Sequence, residues 1–259
     1  PVLVPTVALG RHPGKGAPGG GAIADAAFDS ALKAVEADGL FGLTDLWLGG
    51  YFASAAQVET AAAVIDAVRA APRRGAATER AVVVVDPILG DDPEDARDAD
   101  ADGLYVRPEV ETAVRERLLP RADWLTPNVW ELERLTGRPA RSPDAAATAA
   151  SALPAPALVT SVPVGPDRVG LVLVEGGRAT LFAHEILAGV PHGTGDLVAA
   201  VFGAGLVEGL TPRAAAERAA RAAIETARAA VAWGAPELPL VALGDRLVRP
   251  SAEVEIVDL

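Results

Sequence analysis

Short runs of β-branched and apolar residues alternate with alanine-rich amphipathic stretches along this 259-residue chain. Leu46–Leu48 and Ala81–Val85 are predicted strands, and Ala55–Ala71 between them is a predicted helix with Ser54 as its N-cap. A strand, a helix and a second strand in this order are typical of parallel βαβ units. The sequence carries no repeat and no linker, so we expect one α/β domain over residues 1–259.

The second half of the chain predicts an antiparallel hairpin beside these units. Val169–Val174 and Ala179–Glu185 are apolar runs joined by Glu175-Gly176-Gly177, which favours a tight turn. Two long helices follow at Gly193–Glu208 and Thr211–Trp233, and the alanine stripe of the second indicates packing. The remaining predicted elements are a helix at Pro108–Leu119 and strands at Trp124–Thr126 and Leu158–Thr160.

Charge and composition exclude several classes of function. The net charge of −12 argues against nucleic acid as a partner, because phosphate backbones bind basic surfaces. The apolar runs are too short to span a membrane, and no signal-peptide pattern is visible, so we expect a cytoplasmic protein. The absence of cysteine excludes disulfides, thiolate metal sites and a cysteine nucleophile.

The start of the sequence is unusual. It begins Pro1-Val2-Leu3-Val4-Pro5 and has no initiator methionine, so we expect that an N-terminal segment is missing. An exposed edge strand is predicted near Val2–Val7.

The strongest chemical signal is Gly193-Thr194-Gly195-Asp196 at the start of a predicted helix. Two glycines allow the backbone amides to turn toward one point, where the helix dipole favours an anion. Asp196 is then placed to take a proton from a hydroxyl nucleophile. The alternative is that Thr194 or Asp196 only caps the helix.

Two further motifs follow the ends of predicted strands. Asp86-Pro87-Ile88-Leu89-Gly90-Asp91 follows a buried strand, at the edge where open α/β sheets bind ligands, and its carboxylates suit Mg²⁺. A solvated turn is the alternative. Thr126-Pro127-Asn128-Val129-Trp130-Glu131 follows the next strand, and read in isolation Asn128 and Glu131 favour a capping box.

Together these three motifs, in this order and at this spacing, resemble the ribokinase superfamily. Within it, Gly50-Tyr51-Phe52-Ala53-Ser54, Gly103-Leu104-Tyr105-Val106 and the stretch from Pro5 to His12 are similar to the pyridoxal kinases. The resemblance implies a three-layer αβα sandwich with a mostly parallel central sheet and an antiparallel hairpin. It also implies a homodimer that phosphorylates the 5′-hydroxymethyl group of pyridoxal or related B6 vitamers with ATP.

The resemblance implies a role for each matching position in phosphoryl transfer. Asp196 would be the base, and the amides of Gly193, Thr194 and Gly195 would stabilise the transferring phosphoryl group. Asp86 and Glu131 would hold Mg²⁺. Five positions would lie near ATP or a monovalent cation such as K⁺: Asp91 and Asn128 near the phosphates, Thr126 and Thr160 near the cation, and Thr160 with Ser161 on the nucleotide.

The resemblance also implies a pocket for the vitamer ring. Tyr51 would stack on the pyridine ring, Val7 and Leu9 would form apolar walls, and His12 would lie at the rim. The family's His-Thr pair is His12-Pro13 here, which removes a hydroxyl donor from the substrate side.

Two other functions stay open on the sequence. One is a hydroxymethylpyrimidine kinase of the same superfamily, and the other is a non-catalytic pyridoxal phosphate-binding protein. The acid-rich stretch 91–102 is predicted to be a flap beside the nucleotide.

Overall fold

The computed structural model describes residues 1–12, 15–92 and 103–259, so Pro13, Gly14 and most of the predicted acidic flap lie outside the described residues. The contacts divide the chain into two compact units, Pro1–Asp123 and Trp124–Leu259. No helix within the described ranges is both long and apolar enough to cross a bilayer.

The first unit contains a two-stranded antiparallel ribbon and a βαβ unit. Its elements are β1 (Val7–Leu9), β2 (Gly20–Ala22), α1 (Asp25–Ala37), β3 (Leu46–Gly49), α2 (Ala55–Ala70), β4 (Val82–Val85) and α3 (Pro108–Ala113). A π turn at Val114–Leu118 and a 3₁₀ turn at Leu119–Arg121 extend α3. The helix predicted at Pro108–Leu119 is therefore α-helical only at its start.

The βαβ prediction for this unit is confirmed. Strand β3 is parallel to β4, in register from Leu46 opposite Val82 to Gly49 opposite Val85. Helix α2 connects them, and the Ser54 side chain caps it by accepting from the Gln57 amide. Beneath α2, Phe41, Val68 and Ala81 form a buried apolar cluster.

The predicted edge strand near Val2–Val7 is wrong. Residues 1–5 have no strand structure, and β1 begins at Val7, two residues after Pro5. β2 pairs with it in antiparallel register, and the two strands form a separate two-stranded sheet. Gly20 permits this pairing with a φ of +84°, since a Cβ there would lie 2.0 Å from the Ala8 carbonyl oxygen.

The second unit contains five strands in the order β5-β6-β7-β8-β9. β5 is parallel to β6, and the other neighbours are antiparallel, so the predicted hairpin β7–β8 is confirmed and lies between two further antiparallel strands. The elements are β5 (Trp124–Leu125), α4 (Val129–Thr136), α5 (Pro143–Ala150), β6 (Ala157–Gly165), β7 (Arg168–Glu175), β8 (Arg178–Glu185), α6 (Thr194–Val207), α7 (Pro212–Trp233), α8 (Leu240–Leu243) and β9 (Glu255–Asp258).

Helices α6 and α7 of this unit pack closely. A Cβ on Gly205 of α6 would lie 2.9 Å from the Cβ of Ala215 in α7, so only small residues permit this contact. Thr211 caps α7 through the Ala214 amide, and most alanines of α7 are buried. The packing role predicted for the alanine stripe is confirmed.

Candidate active site

The Gly193–Asp196 motif forms the start of α6 in the second unit. Gly193 is the N-cap with φ at 102°, Thr194 is the first helical residue, and Asp196 lies in the first turn. Gly193 has no side chain that could cap the amides of this turn. Helix geometry leaves these amides without partners inside the helix. The predicted helix start is confirmed, and its position suits an anion.

Strand β6 carries a distortion at the predicted nucleotide residues. The pairing of β6 with β7 shifts register between Val159 and Val162, which places Thr160 and Ser161 in a bulge. Ser161 has φ at 59° and is the one residue other than glycine with positive φ in the part of the chain that the structure describes. Bulges and left-handed side-chain residues concentrate at functional sites, because the surrounding structure must hold them.

A cavity of about 200 Å³ joins these two features within the second unit. Thr160 and Ser161 line it from the bulge, and Thr194 and Gly195 line it from the start of α6. Sequence reasoning therefore paired residues that the fold brings together. The rest of the lining comes from β7, the end of β8, the segment after β8, α6 and α7: Val169, Gly170, Leu171, His184, Glu185, Ile186, Leu187, Val190, Val198, Ala223, Ile224 and Ala227.

The Thr126–Glu131 motif lies in the same unit, against β6. The Thr160 amide donates to the Pro127 carbonyl at 2.9 Å, and Asn128 forms a parallel bridge with Thr160. Asn128 is the N-cap of α4 and forms a reciprocal capping box with Glu131. The capping-box interpretation is confirmed. Thr126 and Glu131 are buried, at 2% and 4% exposure.

Asp86 lies in the first unit, directly after β4. Its side chain is buried at 7% exposure, and its amide donates to the Gly49 carbonyl at 2.8 Å. Downstream, the Asp91 amide donates to the Gly103 carbonyl at 3.1 Å. Over residues 1–12, 15–92 and 103–259, no three acidic or histidine side chains cluster as a ready metal site.

The predicted ring-binding residues also lie in the first unit. Tyr51 is half-buried, and burial raises the pKa of its phenol above the ordinary value, against the opposing charge of Arg107. The Thr6 hydroxyl donates to the Tyr51 carbonyl at 2.8 Å, so β1, which starts at Val7, is tied to the Tyr51 loop. Leu9 at the end of β1 is exposed, and so is His12, three residues after it.

Sequence reasoning missed Gln57, a fully buried polar residue in the first turn of α2. Its side-chain oxygen accepts the Ala53 amide at 2.9 Å, while the Ser54 hydroxyl accepts the Gln57 amide at 3.1 Å. A signal was present, because Ser54 followed by Gln57 matches the spacing of a capping box.

The comparisons with known proteins agree with this arrangement. The model of the phosphomethylpyrimidine kinase family matches residues 56–240, which is more than half of the chain. The chain belongs to this family.

Within the phosphomethylpyrimidine kinase family, the chain is similar to kinases of B6 vitamers. It is 34% identical over 228 residues to the pyridoxine/pyridoxal/pyridoxamine kinase of Bordetella avium, covering 85% of this chain and 72% of the relative. It is 30% identical over 259 residues to the pyridoxal kinase PdxY of Granulibacter bethesdensis, covering 96% and 86%.

Solved structures establish the fold of this family member. The pyridoxal kinase of Leishmania donovani in complex with ADP and pyridoxamine superposes with a TM-score of 0.84 at 24% identity, covering 98% of this chain and 88% of that one. The pyridoxal kinase of Entamoeba histolytica superposes with a TM-score of 0.80 at 23% identity, covering 98% and 87%. The predicted ribokinase-like α/β class is confirmed.

Proposed function

We propose that this protein is an ATP-dependent kinase of B6 vitamers, which phosphorylates the 5′-hydroxymethyl group of pyridoxal or a related vitamer. The observation that carries the proposal is the cavity shared by the Thr160–Ser161 bulge and the start of α6, because it opens beside a helix end whose amides suit a phosphate group. The similarity to named B6-vitamer kinases supports the substrate class.

The residues at the start of α6 account for phosphoryl transfer. Asp196 takes the proton of the substrate hydroxyl while that oxygen bonds to the γ-phosphorus, and the bond to the departing ADP oxygen breaks. The amides of Gly193 and Gly195 donate to the oxygens of the moving phosphoryl group, with Thr194 between them. Asn128 and Asp91 are proposed beside the phosphates.

The oxygen-bearing side chains proposed to bind cations suit hard metal ions. Asp86 and Glu131 are buried carboxylates, and carboxylate oxygens are the ligands that a hard cation such as Mg²⁺ prefers. We propose that they hold Mg²⁺, which when bound neutralises charge on the phosphates. Thr126, buried just before the capping box, and Thr160 are proposed to lie near K⁺.

The substrate ring is proposed to stack on Tyr51, with Val7 and Leu9 as apolar walls and His12 at the rim. The half-burial of the Tyr51 phenol, and the hydrogen bond that the Thr6 hydroxyl donates to the Tyr51 backbone carbonyl, support a fixed position for this stack. The broader proposal is a single kinase domain that works as a homodimer in the cytoplasm.

An Asp196→Asn variant tests the function most directly. The purified wild-type protein should convert pyridoxal and ATP to pyridoxal phosphate and ADP. The variant should lose activity by about a hundredfold or more while binding ATP as the wild type does, since a general base contributes roughly 10²–10⁴-fold. Failure of the wild type to turn over ATP with any B6 vitamer would favour the non-catalytic pyridoxal phosphate-binding alternative.

A hydroxymethylpyrimidine kinase is the second candidate, because the matching family model is described as phosphomethylpyrimidine kinase, which names a related pyrimidine. A panel of pyridoxal, pyridoxine, pyridoxamine and hydroxymethylpyrimidine separates the two functions. We expect kcat/KM to be highest for a B6 vitamer, and a preference for the pyrimidine would replace the proposal.

A further inference from the structure

The first turn of α2 contains an amide side chain that none of the proposed chemistry uses. Gln57 has 0% exposure, and a buried primary amide is costly unless its donors and its acceptor are paired. Most of the buried side chains of this unit are apolar. The retained amide therefore points to a specific role for its hydrogen bonds.

Gln57 connects three separate segments of the first unit. Its Nε2 donates to the carbonyl of Thr6 at 3.1 Å and to the carbonyl of Ile23 at 3.0 Å. Its Oε1 accepts the Ala53 amide at 2.9 Å. Thr6 directly precedes β1 and Ile23 directly follows β2, so both lie at the open end of the ribbon. They are also joined directly, because the Ile23 amide donates to the Thr6 carbonyl at 2.9 Å.

Apart from these hydrogen bonds, few interactions fix the position of the β1–β2 ribbon. Each strand has three residues, and five of the six are exposed while Val7 is partly buried, so apolar burial contributes little to its position. Hydrogen bonds at its base therefore determine where it lies. The same bonds fix the Tyr51 loop, because Ala53 is two residues after Tyr51 and the Thr6 hydroxyl donates to the Tyr51 carbonyl.

We propose that Gln57 is a positioning residue for the substrate wall. It holds the start of β1 against the Tyr51 loop, so that Val7 and Tyr51 keep one spacing in the free protein. This inference rests on the proposed function, in which these two residues form the walls around the vitamer ring. A wall formed before binding saves the free energy of ordering it on substrate arrival.

A Gln57→Met variant tests the proposal, because methionine keeps the length of the side chain and removes its amide. We expect the KM for pyridoxal to rise about tenfold, as the loss of buried hydrogen bonds predicts, with kcat changed by less than about threefold. The KM for ATP should stay unchanged. Val68→Ala is the control, because it weakens the core beneath the same helix without touching the ribbon.

Hydrogen exchange gives a readout that does not depend on activity. Amides of residues 6–9 and 20–23 should exchange faster in Gln57→Met than in Val68→Ala at equal loss of thermal stability. If Gln57→Met does not fold, Thr6→Val, which removes only the bond to the Tyr51 carbonyl, should raise the KM for pyridoxal by a smaller factor.

The outcomes separate this inference from the proposed function. An inactive wild-type protein overturns the function, while exchange in the ribbon still tests the role of Gln57. If the wild type is active, and Gln57→Met, Thr6→Val and Val68→Ala all keep its KM for pyridoxal and its exchange rates in the ribbon, the inference alone is overturned.

Discussion

Asn128 and Glu131 form two reciprocal hydrogen bonds across the first turn of α4. The Asn128 amide donates to Glu131 Oε2 at 2.9 Å, and the Glu131 amide donates to Asn128 Oδ1 at 2.8 Å. One carboxylate oxygen of a proposed Mg²⁺ residue is thus engaged in a helix cap. The capping and metal roles are compatible, because a carboxylate has two oxygens and several lone pairs.

A Glu131→Gln variant separates these two roles. The amide oxygen of glutamine can still accept the Asn128 amide, so the free energy of unfolding should change by less than about 0.5 kcal/mol. The negative charge is lost, so half-maximal activity should require roughly tenfold more Mg²⁺. Titration of activity with Mg²⁺, beside a thermal melt, measures both.

Glu133→Gln is the matched control for this change. Glu133 lies in the same helix, where its carboxylate accepts the Ala140 amide and pairs with Arg141. Its Mg²⁺ requirement should match the wild type. An unchanged requirement in Glu131→Gln as well would leave Glu131 with a capping role only.

A Gly193→Ala variant tests the anion-binding turn. A φ of 102° is strained for any residue with a Cβ, so we expect a loss of about 1–3 kcal/mol of stability. The new methyl itself would fit, because its nearest neighbour, Leu238 Cδ1, would lie at 3.5 Å, so relief of the strained φ is what would shift the start of α6. The KM for ATP should therefore rise. Gly176→Ala, at φ +57° in the β7–β8 turn, should lose stability and keep the wild-type KM for ATP.

A Ser161→Gly variant should trade function for stability. Glycine adopts the left-handed conformation without strain, so the variant should melt at the wild-type temperature or above it, with up to about 1 kcal/mol gained. Loss of the hydroxyl from the cavity should weaken ATP binding by several fold, about 1 kcal/mol for one hydrogen bond. Ser161→Ala keeps the strain and should show only the weaker binding. Unchanged ATP affinity in both variants would remove Ser161 from the nucleotide site.

A Glu225→Gln variant tests the pH dependence of stability. Burial alone would raise the pKa of Glu225, but the amides of Ser251 and Ala252 and the Arg246 guanidinium outweigh it and hold the pKa below 4.5. A lowered pKa in the folded state stabilises the protein above the unfolded value, and this contribution is lost as pH falls through the folded value.

The wild type should therefore melt above Glu225→Gln at pH 7, and the difference should shrink as pH falls below about 4.5. Melting curves of both proteins between pH 7 and pH 3 measure it. Exposed Glu253→Gln is the control and should track the wild type throughout. A constant difference between wild type and Glu225→Gln would contradict the assigned cause.

Local sequence signals predicted much of this protein. Alternating apolar runs indicated the β3-α2-β4 unit and the β7–β8 hairpin, because their periods and turn residues act over short distances. The caps at Ser54 and Asn128 followed from residue type and spacing alone. The motif resemblance indicated the kinase family, because the chemistry of phosphoryl transfer requires particular residues at strand and helix ends.

The tertiary structure decided what depends on distant partners. The strand predicted near Val2–Val7 is found at Val7–Leu9 instead, where it pairs with Gly20–Ala22. Pro5, just before it, has no amide N–H to donate to that ladder. The Thr160–Ser161 bulge exists only through the register of β7. Gln57 acquired its role from carbonyls 34 and 51 residues away, and hydrogen bonds over such separations leave no local pattern in a sequence.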